Sequence, residues 1–473
     1  MVGDHPVKWC VVSTEEVIAR GKRLDASAYN VEARNAKAAI DGGKYPLTTI
    51  CGDGGLATSY VGGRFKRIWV EKSDYPIYQP SEITNVSPSP DGWLSAKTQA
   101  DLDSLRVHKG QILLTCSGTI GKAALVSDTL DEKIFSHDLL RIDCKRQEDA
   151  GYVYASLKSR VGTKILLTNS YGAVITHVDP EHLNSIPIPD APEEIKRKIN
   201  DLVVRSYELR DESNTLIDKA SELMIEELEL PPIGEMGGPH TTFTVSSDNL
   251  AGRLDASYHL PIAKAVTDHL KRHAAEVVTV ADSRISKDVV LPGRFKRIYV
   301  EEGYGTPFFS GRSIGELDPS DKKYLSFARH EKRIQTQLTI HADMILVTCS
   351  GSVGDVAFVP RHWDGWKMTH DIIRIVPNDG LSGFVYVWLQ SQWAKSLIAA
   401  KAYGAVVQHV DKDHMSSIPV PLLTDKAVQD KINALALAAN EKRFEAYNLE
   451  QQALSVMERE VLCPTKKEGS PQA

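Results

Sequence analysis

Apolar positions along the chain form two patterns, one of short runs and one of seven-residue spacing. The short runs contain four to eight residues, are rich in β-branched side chains and end at turn residues, which is typical of β-strands. We predict strands within residues 111–119, 135–143, 173–178 and 185–189, and again within 344–352, 368–376, 405–410 and 417–421. Apolar residues three and four apart predict short helices within 150–167 and 382–400.

After each set of strands, apolar residues recur every seven positions through a polar, helix-favouring segment. The first track holds Ile195, Leu202, Leu209, Leu216 and Leu223, with Ile199, Ser206, Ser213 and Ala220 on the companion positions. The second holds Val428, Leu435, Leu449 and Val456, broken by Lys442, with Ile432, Ala439, Ala446 and Ala453 as companions. Such heptads predict a coiled-coil seam in which small residues face large ones. The alternative, an amphipathic helix lying on its own domain, requires a wider apolar stripe.

Five sequence blocks occur twice in the same order, so the pattern is a tandem duplication. They are "RLDAS" at 23 and 253, "GRFKRI" at 63 and 293, "ILLTCSGTIG" at 112 with "ILVTCSGSVG" at 345, "SHDLLRI" at 136 with "THDIIRI" at 369, and "YGAVITHVDPEHLNSIPIP" at 171 with "YGAVVQHVDKDHMSSIPVP" at 403. A segment rich in proline and glycine at 229–240 ends the first copy. A connector of this length allows the two long helices to run antiparallel, each about 45 Å long at about 1.5 Å per residue.

The predicted fold class is therefore α+β, with two tandem domains built on curved sheets and separated by two long antiparallel coiled-coil helices. The boundaries that we predict are a first head at 1–190, a helix at 191–230, a linker at 231–240, a second head at 241–423, a second helix at 424–462 and a flexible tail at 463–473.

Composition and charge narrow the class without deciding the function. The chain has 473 residues, 42% apolar and 25% charged, which is typical of a folded globular protein. We find neither a signal sequence nor an apolar stretch long enough to span a bilayer, so we expect a cytoplasmic protein. A net charge of −6 argues mildly against a basic coat over the whole surface. The six cysteines show no zinc-binding spacing, and Cys116 and Cys349 are expected to be buried free thiols rather than ligands or nucleophiles.

Candidate chemistry is sparse. "SGTIG" and "SGSVG" lack the lysine pattern of a phosphate-binding loop, and tight turns in which Gly118, Gly121, Gly351 and Gly354 adopt unusual backbone angles explain them better. The histidines that recur in both copies, namely His137, His177, His182, His370, His409 and His414, fit buried hydrogen-bonding roles better than catalysis. We find no catalytic motif and expect no cofactor and no metal.

The "GRFKRI" blocks are candidates for contact with nucleic acid. They place Arg64, Lys66 and Arg67, and then Arg294, Lys296 and Arg297, beside aromatic residues. Closely spaced cations next to aromatics suit attachment to phosphates, whereas the alternative is a charged strand exposed to solvent.

The order of these blocks, together with a proline and isoleucine seven residues apart at 76–83 and 307–314, resembles the specificity (S) subunit of type I restriction-modification systems. The resemblance covers nearly the whole chain and implies two target-recognition domains, each reading one half of a bipartite site in double-stranded DNA. It also implies that the helices dock N6-adenine methyltransferase subunits, that a motor-nuclease subunit can join the complex, and that the S subunit itself catalyses nothing.

Residues that are identical in both heads cannot distinguish two different half-sites, so the bases must be read where the copies diverge. The clearest divergence lies between 84–105 and 315–338, and a smaller one precedes the last repeated block. The candidate DNA-reading residues are Trp93, Lys97, Gln99, Thr168, Asn169 and Thr176 in the first copy, and Lys322, Lys323, Arg329, Arg333, Gln335, Gln337, Lys401 and Gln408 in the second.

Three other functions stay open at this point. The chain could be a stand-alone nuclease or methyltransferase with unrecognised motifs, or a two-headed structural adaptor for protein partners. It could also recognise DNA for a methyltransferase in a system that has no nuclease.

Overall fold

The computed structural model describes residues 9–19, 22–168, 176–236, 242–250, 252–319 and 322–462. The chain divides into two compact units, the first made of Met1–Asp211 with Ala446–Ala473 and the second of Glu212–Glu445. Each unit therefore combines one of the predicted heads with a part of both long helices.

The first unit contains ten strands. They are β1 (Leu47–Thr49), β2 (Ala57–Val61), β3 (Trp69–Val70), β4 (Pro76–Tyr78), β5 (Gly92–Leu94), β6 (Ile112–Thr115), β7 (Ala123–Leu125), β8 (Ile134–Phe135), β9 (Leu139–Cys144) and β10 (Pro187–Pro189). Two four-stranded sheets, in the orders β2-β9-β6-β7 and β3-β5-β4-β8, are accompanied by the antiparallel pair β1-β10. All neighbours are antiparallel except β4 and β8, which are parallel.

The second unit repeats this topology strand for strand. Its strands are β11 (Glu276–Thr279), β12 (Ser286–Val290), β13 (Tyr299–Val300), β14 (Gly305–Phe309), β15 (Lys323–Ser326), β16 (Ile345–Thr348), β17 (Val356–Phe358), β18 (Lys367–Met368), β19 (Ile372–Pro377) and β20 (Pro419–Leu422). They form the sheets β12-β19-β16-β17 and β13-β15-β14-β18 and the pair β11-β20. The duplication seen in the sequence is thus a duplication of the fold.

Helices also occupy matching places in the two units, with one exception. They are α1 (Thr14–Ala19), α2 (Val31–Asp41), α3 (Ala150–Lys158), α4 (Arg160–Thr168), α5 (Pro180–Leu183), α6 (Glu193–Glu227), α7 (Ile233–Met236), α8 (Pro261–His273), α9 (Phe327–Arg333), α10 (Ser382–Gln390), α11 (Gln392–Lys401), α12 (Lys412–Ser416) and α13 (Lys426–Val456). Within the divergent segments, the second unit has α9 where the first has only short turns. In the described part of the chain, no helix is both long and apolar enough to cross a membrane.

The continuous apolar runs reflect strands that are covered on both faces. In β6, Ile112 and Leu114 join the cluster formed with the helices, whereas Leu113 joins a separate cluster on the opposite face. In β16, Ile345 and Val347 are divided from Leu346 in the same way. The predicted strands in these runs are confirmed, and so are the short helices, each interrupted by one serine, at Ser159 and Ser391.

One predicted strand is wrong. Residues 405–410 form a loop that is closed at its base, where the backbones of Tyr403 and His409 exchange hydrogen bonds of 2.9 and 2.7 Å. Gly404 has a φ of +102°, a conformation that side-chain-bearing residues rarely adopt, and it turns the chain back on itself. The matching prediction in the first copy, at 173–178, lies partly outside the described residues.

A buried arginine connects the two large sheets of each unit. In the first, Arg141 on β9 donates to the carbonyl oxygens of Phe135 at 3.3 Å and Leu105 at 2.9 Å. In the second, Arg374 on β19 donates to those of Met368 at 2.7 Å and Thr369 at 3.1 Å. Burial lowers the pKa of both guanidinium groups, that of Arg374 to about 10, so backbone carbonyls alone solvate the charge.

Within each unit α6 and α13 run antiparallel, as predicted. In the first unit Lys198 pairs with Glu460 at 3.0 Å, in the turn that extends α13, and Arg210 pairs with Glu450 at 3.1 Å. In the second unit Glu212 pairs with Lys442, and the Glu227 carboxylate accepts from the Asp425 amide at 3.2 Å. Residue numbers rise along one helix as they fall along the other.

The companion heptad positions form the centre of the seam. On α6 these are Ile199, Ser206, Ser213 and Ala220, and on α13 Ile432, Ala439, Ala446 and Ala453, all fully buried. The Ser206 hydroxyl donates to the Ala446 carbonyl at 2.7 Å, so a small residue faces a small residue there, contrary to the predicted pairing of small with large. Small side chains on both helices allow the backbones to approach closely.

Each head is attached to its long helix through a glycine and an asparagine. The Gly151 amide donates to Asn200 Oδ1 at 2.9 Å, and the Gly383 amide donates to Asn433 Oδ1 at 2.9 Å. A Cβ on Gly151 would lie 2.6 Å from Asn200 Cα, and one on Gly383 would lie 2.5 Å from the Asn433 carbonyl oxygen. Neither site has room for a methyl group.

We therefore expect Gly151→Ala and Gly383→Ala each to lower the free energy of unfolding by about 1–3 kcal/mol, the usual cost of overpacking a close contact. Chemical denaturation at 25 °C measures this loss. Gly234→Ala is the matched control, because a Cβ at that position meets no atom within 4 Å. Equal stability of all three variants would contradict the close docking.

Candidate nucleic-acid interface

The two "GRFKRI" segments are extended chains that lead into β3 and β13. Arg64 and Lys66 in the first unit, like Arg294 and Lys296 in the second, are exposed. The intervening Phe and Arg residues, at 65 and 67 and at 295 and 297, are half-buried. Alternation along an extended chain therefore displays two cations on each head and uses the other two side chains as anchors.

The "THD" block anchors the basic segment of the second unit. The Arg297 guanidinium donates to Thr369 Oγ1 at 2.9 Å and lies 3.2 Å from His370 Nδ1 and 3.3 Å from Asp371 Oδ2. Burial lowers the pKa of His370, while Asp371 opposes the shift and Arg297 adds to it. A neutral imidazole at this place can accept from Arg297, so two repeated motifs are explained by one contact.

The first unit shows related electrostatics. His137 Nε2 lies 3.3 Å from Asp138 Oδ2, and burial, followed by the charges of Arg64 and Arg67, lowers the pKa of this histidine. The Arg67 guanidinium lies 5.8 Å from the centre of the Trp69 ring.

Other repeated histidines also have hydrogen-bonding roles. His182 Nδ1 accepts from the Asp179 amide at 2.9 Å at the start of α5, and the His414 amide donates to Asp411 at 2.8 Å at the start of α12. His177 forms an isolated backbone bridge with Ser117, as His409 does with Ser350. These contacts fit the predicted hydrogen-bonding roles.

The divergent segment of the second unit packs on its basic segment. His330 on α9 accepts from the Ile298 amide at 3.3 Å, and Arg333 donates to the Gly293 carbonyl at 2.8 Å. The Arg333 guanidinium also lies 5.0 Å from the Phe295 ring centre. Helix α9 is therefore held alongside the displayed cations.

Of the second unit's other candidates, some join this surface. Lys323 lies 5.5 Å from the Tyr299 ring centre, and Arg329 is exposed on α9. Gln335 and Gln337 are exposed on the turn that follows. Lys322 instead pairs with Asp318 at 3.1 Å and lies over Trp366.

In the first unit the divergent segment contributes the strand β5. Trp93 is half-buried on β5 and pairs with Val70 of β3, while Lys97 and Gln99 are exposed in the turn that follows. The Lys97 amide donates to Ser95 Oγ at 3.1 Å. The first unit thus displays fewer charged candidates than the second.

The remaining candidates lie near the last repeated block. Thr168 is buried and its hydroxyl donates to the Ile165 carbonyl at 2.7 Å, whereas Thr176 is exposed. Lys401 is half-buried and lies 5.4 Å from the Tyr258 ring, and Gln408 is exposed. Asn169 lies outside the described residues.

The glycine-rich blocks are turns, as predicted. Gly118, Gly121, Gly351 and Gly354 all have positive φ, between 70° and 94°. The Gly118 amide donates to the Thr176 carbonyl and the Gly351 amide to the Gln408 carbonyl, each at 3.1 Å, so both turns are closed by the block that follows. Cys116 and Cys349, immediately after β6 and β16, are buried free thiols as predicted, and burial raises their pKa to about 11 and about 12.

Sequence reasoning did not select two exposed aromatic residues at this surface. Trp69 and Tyr299 begin β3 and β13 and are 48% and 42% exposed, and the isoleucines before them are 41% and 40% exposed. Their signal was their position, directly after the repeated cations in both copies.

No family model matches the chain, and no curated protein matches it. Among solved structures, it is similar to the type I restriction-modification S subunit from M. genitalium, at 14% identity and a TM-score of 0.34, over 91% of this chain and 97% of that one. It is also similar to the HsdS subunit from Thermoanaerobacter tengcongensis, at 14% identity and 0.27, over 85% and 96%. A third chain, from a study of complex assembly and conformational transition of the type I R-M system, gives 16% and 0.26, over 87% and 98%. Similarity at this level does not by itself assign a function to the chain.

Phe295→Ala is expected to loosen both the basic segment and α9, because the Phe295 ring contacts those of His330, Phe308 and His370. Hydrogen exchange followed by mass spectrometry should show faster exchange across 293–300 and 327–333. Phe327→Ala removes the same ring from an exposed position on α9 and is the control. Unchanged exchange in the Phe295 variant would argue against this anchoring.

Proposed function

We propose that this chain is the DNA-specificity subunit of a type I restriction-modification system. In this role it catalyses nothing itself, binds an asymmetric site in two parts, and directs N6-adenine methyltransferase subunits to that site. The observation that carries the proposal is the surface just described. Both units display two cations and an aromatic residue at matching positions, beside the segment in which the units differ most.

The repeated residues suit the DNA backbone. Arg64 and Lys66, like Arg294 and Lys296, are long, exposed cations on a braced segment, and phosphate contacts of this kind fix position without reading sequence. Trp69 and Tyr299 add flat apolar surface that can lie against sugars or a base step. These residues are the same or similar in both heads, so we assign them to affinity.

The divergent residues suit base recognition. Arg329, Gln335 and Gln337 are exposed next to the cations of the second unit, and arginine and glutamine pair with guanine and adenine edges in the major groove. Lys97 and Gln99 have the corresponding place in the first unit. We assign these residues to specificity, with a different half-site for each head.

Partners follow from the proposed role. The outward faces of α6 and α13 are rich in charged residues and are the proposed docking surface for methyltransferase subunits, and a motor-nuclease subunit is a further proposed partner. A DNA-modifying complex of this kind places the protein in the cytoplasm.

The double variant Arg294→Ala/Lys296→Ala tests the DNA-binding surface. Each phosphate contact contributes about 0.9 to the slope of log K against log salt, so the loss of two should reduce the slope by about 1.8. Titration of a random-sequence duplex at several salt concentrations, followed by fluorescence anisotropy, measures both the slope and the affinity. Arg64→Ala/Lys66→Ala should behave alike.

Lys271→Ala/Arg272→Ala is the matched control, because it removes two exposed cations from α8 of the same unit. The proposal expects the control to retain most of the wild-type slope. An equal reduction by both double variants would mean that net charge alone governs binding, and a chain that does not bind DNA would favour the adaptor function.

A further inference from the structure

A buried polar cluster lies at the seam of the first unit. Glu450 on α13 is fully buried and lies 2.9 Å from Lys158 Nζ and 3.1 Å from an Arg210 amino group. Tyr154 of α3 donates its hydroxyl to Glu450, and Tyr207 of α6 donates to the Tyr154 hydroxyl at 3.1 Å. The cluster therefore joins the head, α6 and α13.

The charges in this cluster are mutually dependent. Burial alone would raise the pKa of the Glu450 carboxyl, but Lys158 and Arg210 lower it to about 2, so the group is ionised. Arg210 is also stacked over the Tyr207 ring, 4.2 Å from its centre. Removal of the carboxylate would leave two cations at a buried site without their counter-charge.

The second unit has no such cluster. The two long helices correspond at an offset of 233 residues, so Arg443 occupies the place of Arg210, and Ile217 occupies that of Glu450. There the Arg443 guanidinium donates to Ser213 Oγ at 2.9 Å and lies 3.5 Å from the Tyr386 hydroxyl. The buried carboxylate is therefore a difference between two otherwise matching seams.

The rest of the seam does not define a unique register. Its central residues repeat every seven positions and are small on both helices, so a slip by one heptad would still place Ser206 against an alanine, either Ala439 or Ala453. The polar cluster does not tolerate that slip. One direction would bring Arg443 to the place of Glu450, against Arg210 and Lys158, and the other would bring Met457 there.

We propose that Glu450 is the residue that sets the register of α13 on α6, through its contacts with Lys158, Arg210 and Tyr154. It does so by selection against alternatives, since each slipped pairing buries unpaired or like charges. Pairing of α6 with a second copy of α6 is disfavoured in the same way, because that pairing places Ile217 beside the two cations. Single buried polar residues have this function in coiled coils.

Cysteine pairs in the full-length chain report the register. Ser206→Cys/Ala446→Cys reports the observed pairing, and Ser206→Cys combined with Ala439→Cys or Ala453→Cys reports the two slips. Each pair is introduced into the wild-type chain and into Lys158→Met/Arg210→Met/Glu450→Ile, in which apolar residues replace the charges. After oxidation, mass spectrometry quantifies the cross-linked peptides.

The wild-type chain should give the 206–446 cross-link at least a hundredfold above either slipped one. In the apolar triple variant the slipped cross-links should rise to at least a tenth of the 206–446 yield. Glu445→Ile, an exposed position on the same helix, should leave the wild-type pattern unchanged.

Two results would overturn the proposal. A triple variant that folds and yields only the 206–446 cross-link would show that the small-residue seam sets the register by itself. A triple variant that no longer unfolds cooperatively would show that the cluster is needed for folding rather than for register. Neither outcome depends on DNA binding, so the proposed function is tested separately.

Discussion

The close packing of α6 against α13 is the interaction on which both units depend. In the first unit the apolar core combines strand residues such as Ile112 with Ile199 and Val203 from α6 and Ala453 from α13. In the second, Ile345 and Phe384 share a core with Ala220 from α6 and Ile432 from α13. Because each core draws on both helices, neither head is complete without the helix that belongs, in sequence, to the other copy. Small residues along the seam make this sharing possible, because they allow the backbones to approach.

Much of this architecture could be predicted from the sequence because it rests on periodicity. Seven-residue spacing from Ile195 to Leu223 identified a long helix, and the repeated blocks identified two copies of one fold. The prediction was wrong where one residue outweighed the pattern. An apolar run at 405–410 has the composition of a strand, but Gly404 turns the chain and Tyr403 closes the loop on His409. At Ser206, the expectation of small against large was wrong because antiparallel pairing brings Ala446 to that level.

The site was less accessible to sequence reasoning, because burial and tertiary contacts decide which side chains are displayed. Arg297 and Arg294 read alike in the sequence, yet Arg297 anchors the segment on Thr369 while Arg294 is exposed. Lys322 and Lys323 are neighbours, but Lys322 pairs with Asp318 and only Lys323 lies beside Tyr299. Glu450 looks like any charged residue of a solvated helix until three elements are seen to meet around it. What the repeat did supply was the separation between shared residues, suited to the backbone, and divergent residues, suited to the bases.

The central claim is that two heads of one fold read two different half-sites. The most direct measurement is a genome-wide map of N6-methyladenine by single-molecule sequencing. The chain is co-expressed with a type I methyltransferase partner, and the methyltransferase alone serves as the reference. We expect a split, asymmetric motif that appears only when this chain is present. Absence of any new motif, with a methyltransferase shown to be active alongside another specificity subunit, would contradict the account.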